Sequence, residues 1–156
     1  MPKILFVCTG NLYRSPLAAA FFVRKLQENN NQKGWEVGSA GTWTVTGKSV
    51  PQEVLLAAEK FGLDLKDHAT SMLDASLLAA QDLILVMEQG HKEALSVEFP
   101  SARNKIYLFS EAVDGQKYDI PDPLKSGQAI DALAADISEL MERGHLKIVD
   151  LVERLP

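Results

Sequence analysis

The amino-acid sequence predicts a three-layer α/β/α sandwich built on a parallel sheet of about four strands. Two observations lead to this prediction: short, nearly continuous apolar runs recur along the chain, and amphipathic helical segments separate them. Strands that are apolar on both faces are typical of parallel sheets, which helices cover on either side. The chain has 156 residues, 46% hydrophobic and 24% charged. These values fit one globular domain spanning residues 1–156.

Four apolar runs are the candidate strands, because each is short and rich in aliphatic or β-branched residues. They cover residues 3–7, 35–39, 82–87 and 105–109. The candidate helices carry apolar residues at helical spacing. They cover residues 17–27, 51–61, 74–80, 89–97, 131–143 and 146–155, with Gly144 separating the last two. The polar segments 29–34 and 113–127 are predicted to be loops.

Charge and composition exclude several classes of function. Sixteen Lys and Arg residues against 21 Asp and Glu residues give a net charge of −5, so we expect no nucleic-acid partner. No apolar run approaches the ~18 residues of a membrane span, and residues 4–7 are too short for a signal-peptide core. A single cysteine excludes an internal disulfide and a four-cysteine zinc site. We therefore expect a cytoplasmic protein without membrane association.

The most informative segment is the loop between the first predicted strand and the first predicted helix. In an open α/β sheet, ligands bind beyond the carboxyl ends of the strands. The N–H groups of such a loop and the positive end of the helix can form a cradle for a tetrahedral oxyanion such as phosphate. The residues predicted to form this cradle are Thr9, Gly10, Asn11, Leu12 and Tyr13.

The residues that flank this loop have the chemistry that a phosphate site needs. The Cys8 thiolate would lie beneath the anion, where loop N–H groups and the helix dipole stabilise it. Arg14 offers a planar fork for two phosphate oxygens. Gly10 and Asn11 tolerate positive φ, and Ser15 can donate its hydroxyl to Cys8. Taken singly, a buried cysteine and a solvated arginine are the ordinary interpretation, but their spacing between a strand and a helix favours phosphate chemistry.

Residues 8–15 resemble the Cys-x5-Arg-Ser phosphate-binding loop of the low-molecular-weight protein tyrosine phosphatases. Three further segments resemble motifs of that family in the same order along nearly the whole chain. They are Ser39-Ala40-Gly41-Thr42, residues 82–87 and Ile120-Pro121-Asp122-Pro123. The resemblance implies a flavodoxin-like, phosphotyrosine phosphatase I type sandwich with four parallel strands. It also implies a phosphatase that uses no metal and no cofactor.

The resemblance further implies a covalent mechanism on phosphotyrosine-containing proteins. Cys8 would attack phosphorus, Arg14 would hold its oxygens, and Ser15 would stabilise the thiolate when it leaves. Asp122 would be the general acid; from the residues alone, Asp119 is its competitor and its role stays open. His68 aligns with a family histidine that supports the loop, and an ordinary surface histidine is the equal alternative. Phosphate and related oxyanions would bind the same loop.

The sequence departs from the family pattern at three positions, Tyr13, Leu124 and Glu88. Tyr13 stands where many members have a second cysteine, so no internal disulfide can protect Cys8. Leu124 follows the Asp-Pro motif where the usual residue is aromatic, which makes one wall of the substrate pocket aliphatic. Trp43 is a candidate for the opposite wall, with a core position as the alternative. Glu88 stands where the family often has Asp.

Other functions remain as alternatives. The family includes protein arginine phosphatases, whose loop has Thr at the position of Leu12; leucine would desolvate a charged guanidinium, which favours a phenyl ring. Related arsenate reductases pass a disulfide through two further cysteines, and this relay cannot run with Cys8 alone. A non-catalytic phosphate-binding or phosphopeptide-binding module would need neither Cys8 nor Asp122. The sequence does not distinguish a monomer from a weak dimer.

Overall fold

The structure, a computed structural model, describes residues 1–31 and 34–155 and contains a four-stranded parallel sheet. The strands are β1 (Lys3–Cys8), β2 (Glu36–Gly41), β3 (Leu83–Val86) and β4 (Ile106–Leu108). They pair in the order β2-β1-β3-β4, and every pair is parallel. The predicted fold class is confirmed, and each predicted strand lies within two residues of an observed one.

The predicted helices occur in the predicted order with differences at their ends, and two short α-helices and a 3₁₀ helix occur in addition to them. The helices are α1 (Arg14–Glu28), α2 (Gln52–Lys60), α3 (Ala75–Ala79), α4 (Gln89–Glu98), α5 (Phe109–Asp114), α6 (Pro123–Ser126) and α7 (Ile130–Arg154), with a 3₁₀ helix at Pro100–Lys105. α1 begins three residues earlier than predicted, so Arg14 is itself helical. The predicted loop 113–127 contains the end of α5 and all of α6, while the predicted loop 29–34 lies partly outside the described residues, at Gln32 and Lys33.

Apolar side chains cover both faces of the sheet. Successive side chains of a strand lie on opposite faces, so strands that are apolar throughout supply both. On one face, Phe6 packs with Phe22 of α1 and Phe109 of α5, and α2 and α7 complete this layer. On the other face, Val7 and Val86 pack with residues of α3, α4 and the 3₁₀ helix. Within the described part of the chain, no helix is both long and apolar enough to cross a bilayer.

The strand order determines where a ligand can bind. From β1 the chain passes through α1 to β2 on one side, and β3 then pairs with the other side of β1. This change of direction opens a crevice at the carboxyl ends of β1 and β3, which is where open α/β sheets bind ligands. The loop after β1 and the residues after β3 therefore meet at this edge.

The prediction of two C-terminal helices separated by Gly144 is wrong, since α7 runs without interruption through this residue. Gly144 is buried where α7 crosses α5. A Cβ at this position would lie 2.5 Å from both the Cα and the carbonyl oxygen of Val113. The glycine is therefore required by close packing and does not end the helix.

We expect Gly144→Ala to lower the free energy of unfolding by about 2–3 kcal/mol, because the added methyl overlaps backbone that cannot move freely. Urea denaturation followed by circular dichroism measures this change. Gly90→Ala is the matched control, since Gly90 is also helical but has no atom within 4 Å of its Cβ position. There, alanine should leave stability unchanged or raise it by up to about 1 kcal/mol. Equal effects of the two substitutions would contradict the packing argument.

Candidate active site

The loop between β1 and α1 curls at the carboxyl edge of the sheet. Asn11 has a φ of 58°, a left-handed conformation that asparagine tolerates better than most residues. The chain just after β2 supports the loop, because the Thr42 N–H donates to the Cys8 carbonyl at 2.9 Å and the Trp43 N–H donates to the Thr9 carbonyl at 3.0 Å. The loop backbone is thus held from outside as well as by its own turns.

The Cys8 sulfur lies 3.0 Å from the hydroxyl oxygen of Ser15, and both residues are buried. The same oxygen accepts a hydrogen bond from the Asn11 amide at 2.8 Å. With one lone pair of Ser15 used in this way, its hydroxyl proton can point at the sulfur. The arrangement can stabilise a thiolate on Cys8.

Asn11 ties the loop to two other segments, β2 and residues 68–71. Its amide nitrogen donates to the Ser39 hydroxyl at 2.9 Å, and its amide oxygen accepts from the Ser71 N–H at 2.9 Å. His68 Nε2 lies 2.9 Å from the Asn11 carbonyl oxygen, which can only accept, so Nε2 is the donor. Both the side chain and the backbone carbonyl group of Asn11 take part in these contacts. Together they stabilise the left-handed conformation of this residue.

The guanidinium of Arg14 is 2% exposed and is surrounded by acceptors. It forms an ion pair with the Glu88 carboxylate and donates to the Ile120 carbonyl at 2.8 Å. The Asp122 carboxylate lies 3.9 Å away, and the Thr9 hydroxyl oxygen accepts at 3.5 Å. A buried charge needs such partners to offset its lost hydration. Glu88, whose role the sequence left open, is therefore the counter-ion of Arg14.

Asp119 and Asp122 are three residues apart, but they make different contacts. The Asp119 carboxylate accepts from the Gln89 N–H at 2.8 Å and so anchors this region to the start of α4. The Asp122 carboxylate accepts from the Leu124 N–H at 2.9 Å and caps α6, with its other oxygen towards Arg14. Only Asp122 is thus placed beside the arginine.

Apolar side chains flank the site. Trp43 is 82% exposed, so the alternative of a core position for this residue is wrong. Leu124 is 71% exposed and directly follows the Asp122-Pro123 pair. Tyr13 is half-buried, and its hydroxyl donates to Glu53 at 3.5 Å. Burial, and next the Glu53 carboxylate, raise the pKa of Tyr13 above its ordinary value.

His91 belongs to the site although the sequence analysis did not identify it. It occupies the first turn of α4, and its Nε2 lies 2.9 Å from the Thr9 hydroxyl oxygen. Its Nδ1 accepts from the Glu88 N–H at 3.2 Å. Burial, and next the positive charge of Arg14, lower the pKa of His91. The only signal in the sequence is its position three residues after Glu88, the spacing of a helix-capping pair.

Comparison with known proteins identifies the family of the chain. The sequence model of the family described as low molecular weight phosphotyrosine protein phosphatase matches residues 3–154. The chain belongs to this family. Among the described residues of this phosphatase-family member, no group of three or more His, Cys, Asp or Glu side chains is placed to hold a metal ion.

Similar family members carry two different names. The chain is 35% identical to a protein-arginine-phosphatase of Geobacillus stearothermophilus over 138 residues, 88% of each chain. It is also 35% identical to a putative low molecular weight protein-tyrosine-phosphatase of Klebsiella pneumoniae over 144 residues, 92% of each chain. The solved YwlE arginine phosphatase from Geobacillus stearothermophilus superposes with a TM-score of 0.84 at 30% identity, covering 100% of this chain and 99% of that one.

Gly41 gives a physical reason for the Ser-Ala-Gly segment that this family member carries after β2. A Cβ on Gly41 would lie 2.6 Å from the Thr9 carbonyl oxygen and 3.2 Å from the Asn11 nitrogen. The loop between β1 and α1 therefore rests directly on the glycine backbone. Any side chain here would push the loop away from the sheet.

We expect Gly41→Ala to reduce kcat/KM about tenfold to a hundredfold, because a small displacement of a positioning loop is costly to catalysis. Gly38→Ala is the control on the same strand, since its added Cβ would meet Leu5 at an ordinary 3.5 Å. Steady-state kinetics on an aryl phosphate and melting temperatures should be measured for both variants. An active Gly41→Ala enzyme would show that the loop tolerates displacement.

Proposed function

We propose that this family member is a protein tyrosine phosphatase that hydrolyses phosphotyrosine through a phosphocysteine on Cys8. The observation that carries the proposal is the grouping of four reactive side chains at one edge of the sheet. The Cys8 sulfur lies 3.0 Å from the Ser15 hydroxyl, and Arg14 closes the same loop with the Asp122 carboxylate 3.9 Å away. A nucleophile, its stabiliser, a phosphate-binding cation and an acid are all present.

In the first step, the Cys8 thiolate attacks phosphorus in line with the tyrosine oxygen. The S–P bond forms as the P–O bond to the phenol breaks, and protonated Asp122 gives its proton to the departing oxygen. Arg14 and the loop N–H groups hold the equatorial phosphoryl oxygens, where charge must be stabilised. The products of this step are the tyrosine side chain and phosphocysteine.

In the second step, water hydrolyses the phosphocysteine. The Asp122 carboxylate takes a proton from the water molecule. At the same time the water oxygen bonds to phosphorus and the S–P bond breaks. The electron pair returns to Cys8 as a thiolate, which the Ser15 hydroxyl stabilises. Inorganic phosphate leaves, and Asp122 is protonated again for the next turnover.

The choice of phosphotyrosine rests on the apolar character of the pocket. Leu12 lies in the loop itself, and exposed Trp43 and Leu124 follow segments that border it. A phenyl ring gains from contact with such side chains, whereas a charged guanidinium loses hydration there without a compensating partner. Overall similarity does not decide the substrate, because relatives with both names are 35% identical to the chain.

Arginine phosphatase activity is the second candidate, supported by the similarity in sequence and in structure to arginine phosphatase of Geobacillus stearothermophilus. The same loop, nucleophile and acid would serve, with a guanidine nitrogen as the leaving atom. The two candidates therefore differ only in the walls of the pocket. A phosphopeptide-binding module without turnover remains the non-enzymatic alternative.

The substrate is tested with a phosphotyrosine peptide and a phosphoarginine peptide in EDTA. We expect turnover of phosphotyrosine, reduced at least about a thousandfold in Cys8→Ser because the nucleophile is lost. Leu12→Thr should shift the ratio of the two kcat/KM values towards phosphoarginine by at least about tenfold. Preference of the wild type for phosphoarginine would reject the tyrosine assignment, and tight phosphate binding without turnover would favour the binding module.

The roles of the two aspartates are tested by Asp122→Asn and Asp119→Asn. We expect Asp122→Asn to lower kcat on phosphotyrosine at least about a hundredfold, because phenolate is a poor leaving group without protonation. The loss should be much smaller with para-nitrophenyl phosphate, whose leaving group needs no proton. Asp119→Asn keeps an acceptor for the Gln89 N–H and is the matched control. If Asp119→Asn lowers kcat on phosphotyrosine more than Asp122→Asn does, Asp119 is the general acid and Asp122 is not.

We propose that residues 1–156 act as one catalytic domain in the cytoplasm on phosphotyrosine-containing proteins, as a monomer or weak dimer. The negative net charge supports a protein substrate rather than a nucleic acid. Light scattering of the purified enzyme measures the oligomeric state directly.

A further inference from the structure

We propose that His91 is a positioning residue of the active site, which holds the Thr9 hydroxyl as a hydrogen-bond donor to the phosphoryl group. The inference rests on the proposed function and extends it to a residue outside the phosphate-binding loop. His91 comes from α4, 82 residues after Thr9 in the chain. The contact therefore links the two sides of the crevice at the carboxyl edge of the sheet.

The hydrogen bonds of the imidazole determine where its proton lies. Nδ1 is 3.2 Å from the backbone nitrogen of Glu88, which is a donor, so Nδ1 must be the acceptor. In a neutral imidazole the proton is then on Nε2. Nε2–H accordingly donates to the Thr9 hydroxyl oxygen at 2.9 Å.

The Thr9 oxygen also accepts from the Arg14 guanidinium at 3.5 Å. Two donors thus use its two lone pairs, and its own proton is left to donate elsewhere. A phosphoryl oxygen held by Arg14 can only accept hydrogen bonds. Thr9 therefore adds an oriented donor beside the arginine, and His91 determines that orientation.

The surroundings of His91 support the neutral form of the ring. It is 9% exposed, and burial together with Arg14 lowers its pKa although Glu88, Asp119 and Asp122 act in the opposite sense. In a protonated ring, Nδ1 would carry a proton that faces the backbone N–H of Glu88, so two donors would meet. That clash would displace the ring from the position in which it contacts Thr9.

Two substitutions at position 91 separate the bond to Thr9 from the bond that caps α4. In His91→Asn, the side-chain oxygen is attached to Cγ as Nδ1 is, so it can accept from the Glu88 N–H but cannot reach Thr9. In His91→Gln, the amide nitrogen is as far from Cγ as Nε2 is, so it can donate to Thr9. A capping role alone predicts that asparagine is the better replacement, whereas the proposed positioning role predicts glutamine.

We expect His91→Asn to lower kcat/KM on the phosphotyrosine peptide about tenfold, with a melting temperature close to that of the wild type. It should weaken the binding of inorganic phosphate by a similar factor, because a donor to an anion is misplaced. His91→Gln should recover most of both losses. His145→Gln is the control, since His145 contacts only the Met141 carbonyl of its own helix among the described hydrogen bonds.

The link through Thr9 is tested by a double-mutant cycle. Thr9→Val removes the hydroxyl with little change of shape, and in this background His91→Asn should have little further effect. Additive losses, or a His91→Asn enzyme as active as the wild type, would overturn the proposal. The dissociation constant of inorganic phosphate can be measured for all four proteins of the cycle, and this measurement needs no catalytic turnover. If the enzyme is inactive on both phosphopeptides, the proposed function is rejected, but the phosphate dissociation constants still test the role of His91.

Nitrogen-15 NMR of the histidine side chains provides a further readout. The wild-type spectrum should show His91 with a protonated Nε2 and an unprotonated Nδ1 at neutral pH. The opposite tautomer would place Thr9 as donor to His91 and contradict the proposal. His68 and His145 give separate signals, and each can be assigned by substitution of the single residue.

Discussion

The buried guanidinium of Arg14 is the group on which the arrangement of the site depends, because a full positive charge inside a protein must be matched from several directions. Its partners come from three places: Thr9 in its own loop, Glu88 after β3, and Ile120 with Asp122 near α6. Removing any one of them leaves part of the charge unsatisfied. The three segments are therefore held together by the residue that would bind the substrate.

A second set of contacts keeps the loop in shape independently of this charge. Asn11 fixes the positive-φ turn through Ser39 and Ser71, while Gly41 lets the loop lie against β2. These contacts are neutral, so they hold the N–H groups of the loop in place whether or not an anion is bound. Such preorganisation is what makes electrostatic stabilisation of a transition state effective.

Much of the fold followed from the sequence, because buried parallel strands and amphipathic helices leave clear periodic patterns. The chemistry-bearing loop was also recognisable, since Cys8, Arg14 and Ser15 are close in sequence. Contacts between distant segments were not visible. The partnership of Glu88 with Arg14, and that of His91 with Thr9, depend on the pairing of β1 with β3. The interpretation of Gly144 as a helix end is wrong because the sequence alone does not distinguish a glycine that permits close helix packing from a glycine that ends a helix.

The long separation between partners in the chain has a consequence for synthesis. Cys8 and Arg14 leave the ribosome before their partners, since Ile120 follows Arg14 by 106 residues, and α7, which packs against α1, α2 and α5, follows Ile120. Contacts between such distant segments form only after the intervening chain is available. A nascent chain therefore carries Cys8 and Arg14 through the synthesis of the residues up to Ile120 before Arg14 has all of its partners. The surroundings of Cys8 are complete only after α7 has been synthesised and packed, and the thiol lacks these neighbours until then.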